Sequence, residues 1–189
     1  HDYEERQNLR LEYHPVLRTD AEGYHEDILV EYPDKEETGT IVVRPGTKVI
    51  KKKAFYQCKA QSVVLPEGIT KIPYAAFSFC EQLREIALPS SVQSIEYRAF
   101  GGCISLKKIE LPAGLEELPE SLLEDCTSLE EVVLPESLKT IRRNAFSGCM
   151  ALKTIRIPES VSCIESYVFA KCSSLSEVSL PKGLSKIPD

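Results

Sequence analysis

Seven cysteines and three histidines are the residues of this chain best suited to hold a metal or attack an electrophile. Their spacing serves neither purpose. Cys58, Cys80, Cys103, Cys126, Cys149 and Cys172 recur at intervals of 22 or 23 residues, without the close C-x2-C pairs that converge ligands on zinc. His1, His14 and His25 all fall in an acidic N-terminal segment, at spacings that match no metal motif. No glycine-rich phosphate loop, G-x-S-x-G elbow or H-E-x-x-H motif occurs, and no acid pair stands apart from the surface charges. The chain is therefore expected to be no enzyme and to use no cofactor or metal. The six periodic thiols read as small buried hydrophobes. Cys163 is different, because its slot is filled elsewhere by Lys71, Ser94, Glu117 and Thr140. It is expected to be exposed, where an intermolecular disulfide becomes possible in an oxidising setting.

The cysteines are periodic because the whole sequence is. Leu65-Pro66, Leu88-Pro89, Leu111-Pro112, Leu134-Pro135, Ile157-Pro158 and Leu180-Pro181 stand 23 residues apart. Between them runs the template L-P-x-x-[VIL]-x-x-[IL]-x-x-x-A-F-x-x-C-x-x-L-x-x-[IV]-x. Ala76-Phe77, Ala99-Phe100, Ala145-Phe146 and the variant Val168-Phe169 fill the Ala-Phe slot, and one copy substitutes Leu122-Leu123. An earlier copy from Val43 carries Ala54-Phe55 and Cys58 and is one residue short. A fixed period of this length is the signature of a solenoid.

The apolar positions give each coil its expected shape. Ile86-Ala87-Leu88 alternates as a strand with one buried face should, and Pro89 stops it by lacking an N–H. The x-A-F-x-x-C portion is expected to be a short helical turn or loop on the outer side, with Ile72, Phe77 and Cys80 pointing inward. One coil cannot fold alone. About eight buried side chains at roughly 1.5–3 kcal/mol each face a backbone ordering cost of about 1–2 kcal/mol per residue, so only stacked coils are stable.

The repeated A-F-x-x-C-x-x-L-x-x-I-x-L-P motif resembles the BspA-like branch of the leucine-rich repeats, over residues 43–188. The resemblance implies an α/β fold: a right-handed solenoid with a parallel β-sheet on its concave face and short helical turns or loops outside. Residues 16–42 are similar to the hairpin-like lead-in of such repeat blocks, with apolar alternation on both sides of an Asp20–Gly23 turn signal. The expected domains are thus a hairpin-like acidic cap at 1–42 and a solenoid of about six repeats at 43–189, the last truncated. The sequence begins at His1 and breaks off within a repeat at Asp189, and is expected to be a segment of a longer protein.

Composition narrows the partners. A net charge of −6 argues against nucleic acid, and no apolar run approaches the ~18–20 residues of a membrane-spanning helix. The outward strand face is the natural recognition surface of a solenoid. It should present one column of Val64, Ala87, Glu110, Val133, Arg156 and Ser179. A second column, Ser62, Glu85, Lys108, Glu131, Thr154 and Glu177, alternates in sign at its centre and reads as mutually compensating charge. Tyr74 and Tyr97 share one slot and form a further strip, suited to a protein or carbohydrate partner. The resemblance implies a non-catalytic interaction scaffold of a bacterial surface or secreted adhesin. Its expected partner is a protein, such as a host matrix or plasma protein, in preference to a carbohydrate. A passive spacer and a cytoplasmic scaffold are the alternatives, the latter because reducing conditions keep buried thiols free.

Overall fold

The computed structural model describes residues 21–29, 32 and 34–184. Each coil contains two short strands and a corner. The first kind of strand spans three residues: β3 (Thr40–Val42), β5 (Ser62–Val64), β7 (Glu85–Ala87), β9 (Lys108–Glu110), β11 (Glu131–Val133), β13 (Thr154–Arg156) and β15 (Glu177–Ser179). In β7, β9, β11 and β13 the central residue is buried and its neighbours are exposed, as the alternation Glu85-Ile86-Ala87 requires. Pairing is parallel and in register with the repeat, for example Ser62 with Glu85 and Lys108 with Glu131. The second kind spans two residues: β4 (Val49–Ile50), β6 (Lys71–Ile72), β8 (Ser94–Ile95), β10 (Glu117–Leu118), β12 (Thr140–Ile141) and β14 (Cys163–Ile164). They also pair in parallel, Thr140 lying between Glu117 and Cys163.

The third side corrects the α/β expectation. Among the described residues there is no helix, and none is long and apolar enough to cross a membrane. The A-F-x-x-C portion is instead a chain of tight turns in which residues four apart are left-handed. These pairs are Lys53 and Gln57, Ala75 and Phe79, Arg98 and Gly102, Ser121 and Asp125, Asn144 and Gly148, and Tyr167 and Lys171. Their N–H groups alternate in destination. Ser78 N–H and Cys80 N–H close local turns on Ala75 O and Phe77 O (3.1 and 3.2 Å). Ala75, Phe77 and Phe79 N–H instead reach the next coil, at Tyr97 O, Ala99 O and Gly101 O (3.1, 2.8 and 2.8 Å). A helix would turn all of these donors along its own axis and leave nothing to bind the neighbouring coil.

Left-handed geometry costs a non-glycine residue about 1–2 kcal/mol, and the inter-coil bonds offset it. At Gly102 the fit also demands the missing side chain, since a Cβ there would lie 2.5 Å from the Phe79 ring. Inside the corner the phenylalanines stack: Phe55 on Phe77 at 4.9 Å, Phe77 on Phe100 at 5.2 Å, and Phe146 on Phe169 at 5.8 Å. Leu123 stands in the coil between Phe100 and Phe146 and interrupts the column.

A short hairpin follows the turn signal. β1 (Tyr24–His25) and β2 (Ile28–Leu29) pair antiparallel around Glu26-Asp27, where Glu26 has φ 57°. The part of the expected hairpin before residue 21, and the last residues of the truncated repeat, lie outside the described residues. β2 then pairs in parallel with β4, Tyr32 stacks on Phe55 at 5.5 Å, and β3 pairs with β5. β2, Tyr32 and β3 therefore occupy the slots of a coil. Tyr24 anchors the hairpin: its hydroxyl accepts the Arg44 N–H at 2.8 Å, and the Arg44 guanidinium lies 4.0 Å above its ring.

Phe100 is fully buried in a central coil. Phe100→Ala is expected to lower stability by about 3–5 kcal/mol, measured by urea unfolding; a loss under about 1 kcal/mol would contradict this packing.

Candidate interaction surface

The three-residue strands present their outer face as an open groove of about 980 Å³. Val64, Ala87, Glu110, Val133 and Arg156 all line it, joined by Ser62, Glu85 and Lys108 of the neighbouring column. These residues stand 23 apart or nearly so in sequence, and the parallel register alone makes them neighbours. Val64 and Val133 remain 45% and 38% exposed, so the groove keeps apolar surface in water. Ser179 is exposed on β15, opposite Arg156 in the register, but does not line the groove. Tyr74 and Tyr97 lie elsewhere, at the corner, stacked at 5.7 Å.

Sequence reasoning missed two contributors. Val42 extends the apolar column by one coil, pairing with Val64 and remaining 66% exposed; the one-residue deletion in the first copy hid its register. Glu136, a turn residue in the template, lines the groove and pairs with Arg156 at 2.6 Å. The Glu136 hydrogen bond raises the Arg156 pKa. Lys108 pairs with Glu131 at 2.8 Å, and its ammonium is likewise held above its ordinary range, first by the Glu131 hydrogen bond and further by Glu110. The central charges of the second column thus engage one another.

The thiols are far from this chemistry. Five are buried, Cys172 is half-buried and Cys163 is exposed, and all seven are free. Each thiol from Cys80 onward in the column donates to the Phe-slot carbonyl of the preceding coil: Cys80 to Phe55 O at 3.0 Å, Cys103 to Phe77 O at 3.2 Å, Cys126 to Phe100 O at 3.2 Å. Cys149 and Cys172 repeat the contact with Leu123 O and Phe146 O at 3.3 and 3.1 Å. The slot therefore asks for a small side chain that is apolar and still carries one donor. Burial pushes these thiols up, Cys80 and Cys126 to about 12.

A profile of the BspA type leucine rich repeat region matches residues 48–175 in six copies. The chain belongs to this family. Solved relatives of the fold are bacterial leucine-rich repeat proteins. One from Bacteroides ovatus ATCC 8483 is 31% identical, with a TM-score of 0.78 over 83% of this chain and 42% of its own. The T. pallidum leucine-rich repeat protein is 32% identical, with a TM-score of 0.74 over 82% of this chain and 75% of its own. A leucine rich cell surface protein from Faecalibacterium prausnitzii A2-165 is 31% identical, with a TM-score of 0.69 over 74% and 38%. The chain thus spans less than half of two of these three repeat proteins. No protein of curated function matches the sequence.

Two outcomes are expected of the family's cysteine column here. Titration with a thiol reagent should find seven thiols in denaturant, while in the native protein Cys163 reacts fast and the buried five do not; rapid reaction of several would refute the inward column. The raised thiol pKa values also set a sign for pH dependence. A thiol that ionises near 8.5 when unfolded and near 12 when folded, as at Cys126, favours the folded state fully below the lower value. That stability is lost as pH rises towards the upper one. Cys126→Ser keeps a donor without the titration, and should flatten the decline between pH 9 and 11 by about 1.4 kcal/mol per pH unit in urea midpoints. An unchanged slope would show that this thiol does not carry the linkage.

Proposed function

We propose that this chain is a non-catalytic protein-interaction scaffold whose ligand lies along the strand-face groove. The same reading makes it the binding repeat region of a bacterial cell-surface or secreted adhesin-like protein. The observation that carries it is the groove itself, which places Val64, Ala87 and Val133 beside Glu110, Glu136 and Arg156 across several coils. Apolar side chains that a partner can cover, set among charges that fix its register, are the composition of a protein interface.

Further support comes from the chemistry of the thiols and from similarity. The column thiols are turned inward and kept protonated by burial, which makes them poor nucleophiles. The F. prausnitzii relative is described as a cell surface protein, which favours an exposed location, where a host matrix or plasma protein would be within reach. A cytoplasmic scaffold is the second reading, favoured by seven free cysteines, since reducing compartments keep thiols unpaired.

The test is titration of the chain against immobilised fibronectin and fibrinogen, alongside the Val133→Glu/Arg156→Glu double variant. Saturable binding is expected, weakened at least about tenfold in a variant whose circular dichroism is unchanged. Binding that survives the variant would move the site off the groove. Absence of binding to either protein would count against the adhesin reading and favour the spacer or the cytoplasmic scaffold.

A further inference from the structure

The N-terminal corners carry a second surface, separate from the groove. Tyr74 and Tyr97 stack face to face at 5.7 Å with an interplanar angle of 14°, yet remain 40% and 38% exposed. Stacking covers one face of each ring, Lys53 Nζ lies over the Tyr74 ring, and both hydroxyls are left for a ligand. Neither hydroxyl has a partner among the described residues. The ring edge is the positive part of the aromatic quadrupole. The preceding coil adds two exposed ammonium groups. Lys53 N–H bonds Tyr74 O at 3.0 Å, and Lys53 Nζ sits 5.4 Å from the Tyr56 ring and 5.8 Å from the Tyr74 ring. Lys52 occupies the slot equivalent to Tyr74, and among the described residues neither lysine has a carboxylate partner.

The acidic groups around the strip are already engaged or lie at its end. Glu96 accepts the Tyr74 N–H at 2.7 Å and pairs with Lys71 at 3.5 Å. Glu124 pairs with Arg98 at 3.0 Å. Glu120, exposed in the next coil's slot, marks where the sign of the strip changes. The strip from Lys52 to Tyr97 thus presents donors and positive potential on a protein whose net charge is −6.

We propose that Lys52, Lys53, Tyr74 and Tyr97 form a second binding site, whose ligand is an anionic polysaccharide. The unpaired hydroxyls and ammonium groups of the strip favour a ligand recognised by polar contacts over one held by buried apolar anchors. Two unpartnered phenol hydroxyls on adjacent coils stand beside two unpaired ammonium groups, a set that complements a ligand carrying hydroxyls and negative charge together. Phenol hydroxyls can exchange hydrogen bonds with sugar hydroxyls, while the two ammonium groups meet sulfate or carboxylate.

The experiment is equilibrium titration of the chain with heparin, polygalacturonate, neutral dextran and polyglutamate. Saturable binding to the two anionic sugars, weakened by salt, and none to dextran are expected. Lys52→Gln/Lys53→Gln should weaken it about tenfold through loss of two exposed ion pairs. Tyr74→Phe/Tyr97→Phe, which keeps the stack, should weaken it about threefold. Val133→Glu in the groove should leave it unchanged, which keeps this site distinguishable from the protein-binding groove. The proposal is overturned by no binding to either sugar at low salt, or by binding indifferent to the lysine and tyrosine variants. Equal affinity for polyglutamate, or loss in Val133→Glu, would also overturn it.

Discussion

Three backbone N–H groups in each of the five corners from Lys53 to Gly148 point at the following coil, and most of the structure depends on that one-way ladder. Ala75, Phe77 and Phe79 donate forward while their neighbours close local turns. To alternate in this way the chain must pass through the left-handed region twice per corner. Such a corner is unstable by itself, because it forms few bonds of its own and carries steric cost. The next coil supplies the missing acceptors, so order at any corner presupposes order beside it. The thiol column belongs to the same device. Cys80 Sγ and Cys58 N–H share Phe55 O, at 3.0 and 2.9 Å, tying two coils to a single carbonyl.

This constraint determines what the surface can be. Coils held in register turn residues 23 apart into neighbours, so any functional patch is a set of columns. On the strand face the columns open into a groove of mixed apolar and charged lining. On the second ladder they become bridges: Arg142 reaches Glu117 in one adjacent coil and Glu165 in the other, both at 2.7 Å. Exposed pairs of this kind add little to stability, and their use is to match the charge of successive coils. The corner carries aromatic residues at one end of the array and acidic ones further on. Interior slots stay apolar from copy to copy, even where Leu122-Leu123 replaces Ala-Phe, whereas the exposed columns mix apolar, charged and polar residues, and a scaffold of this kind can present different ligand surfaces on different faces.

The division between what was readable and what was not follows the range of each interaction. The 23-residue period, the inward Ile72, Phe77 and Cys80, the exposed Cys163 and the outward column from Val64 to Arg156 come from the sequence alone. Each depends on alternation within a few residues and on a repeat that restates it. The A-F-x-x-C portion, expected to be a short helical turn or a loop, is a run of tight turns with no helix among the described residues. Left-handed Ala75, Arg98 and Ser121 carry no compositional mark of their conformation, since their N–H groups answer to acceptors 22 residues away. Only the tertiary structure decided that the cysteine slot holds a donor, that Glu136 reaches Arg156, that Val42 extends the apolar column beside Val64 and that Tyr74 and Tyr97 stack. All four are contacts between coils, and their partners are chosen by the stacking of the array, which local sequence does not encode.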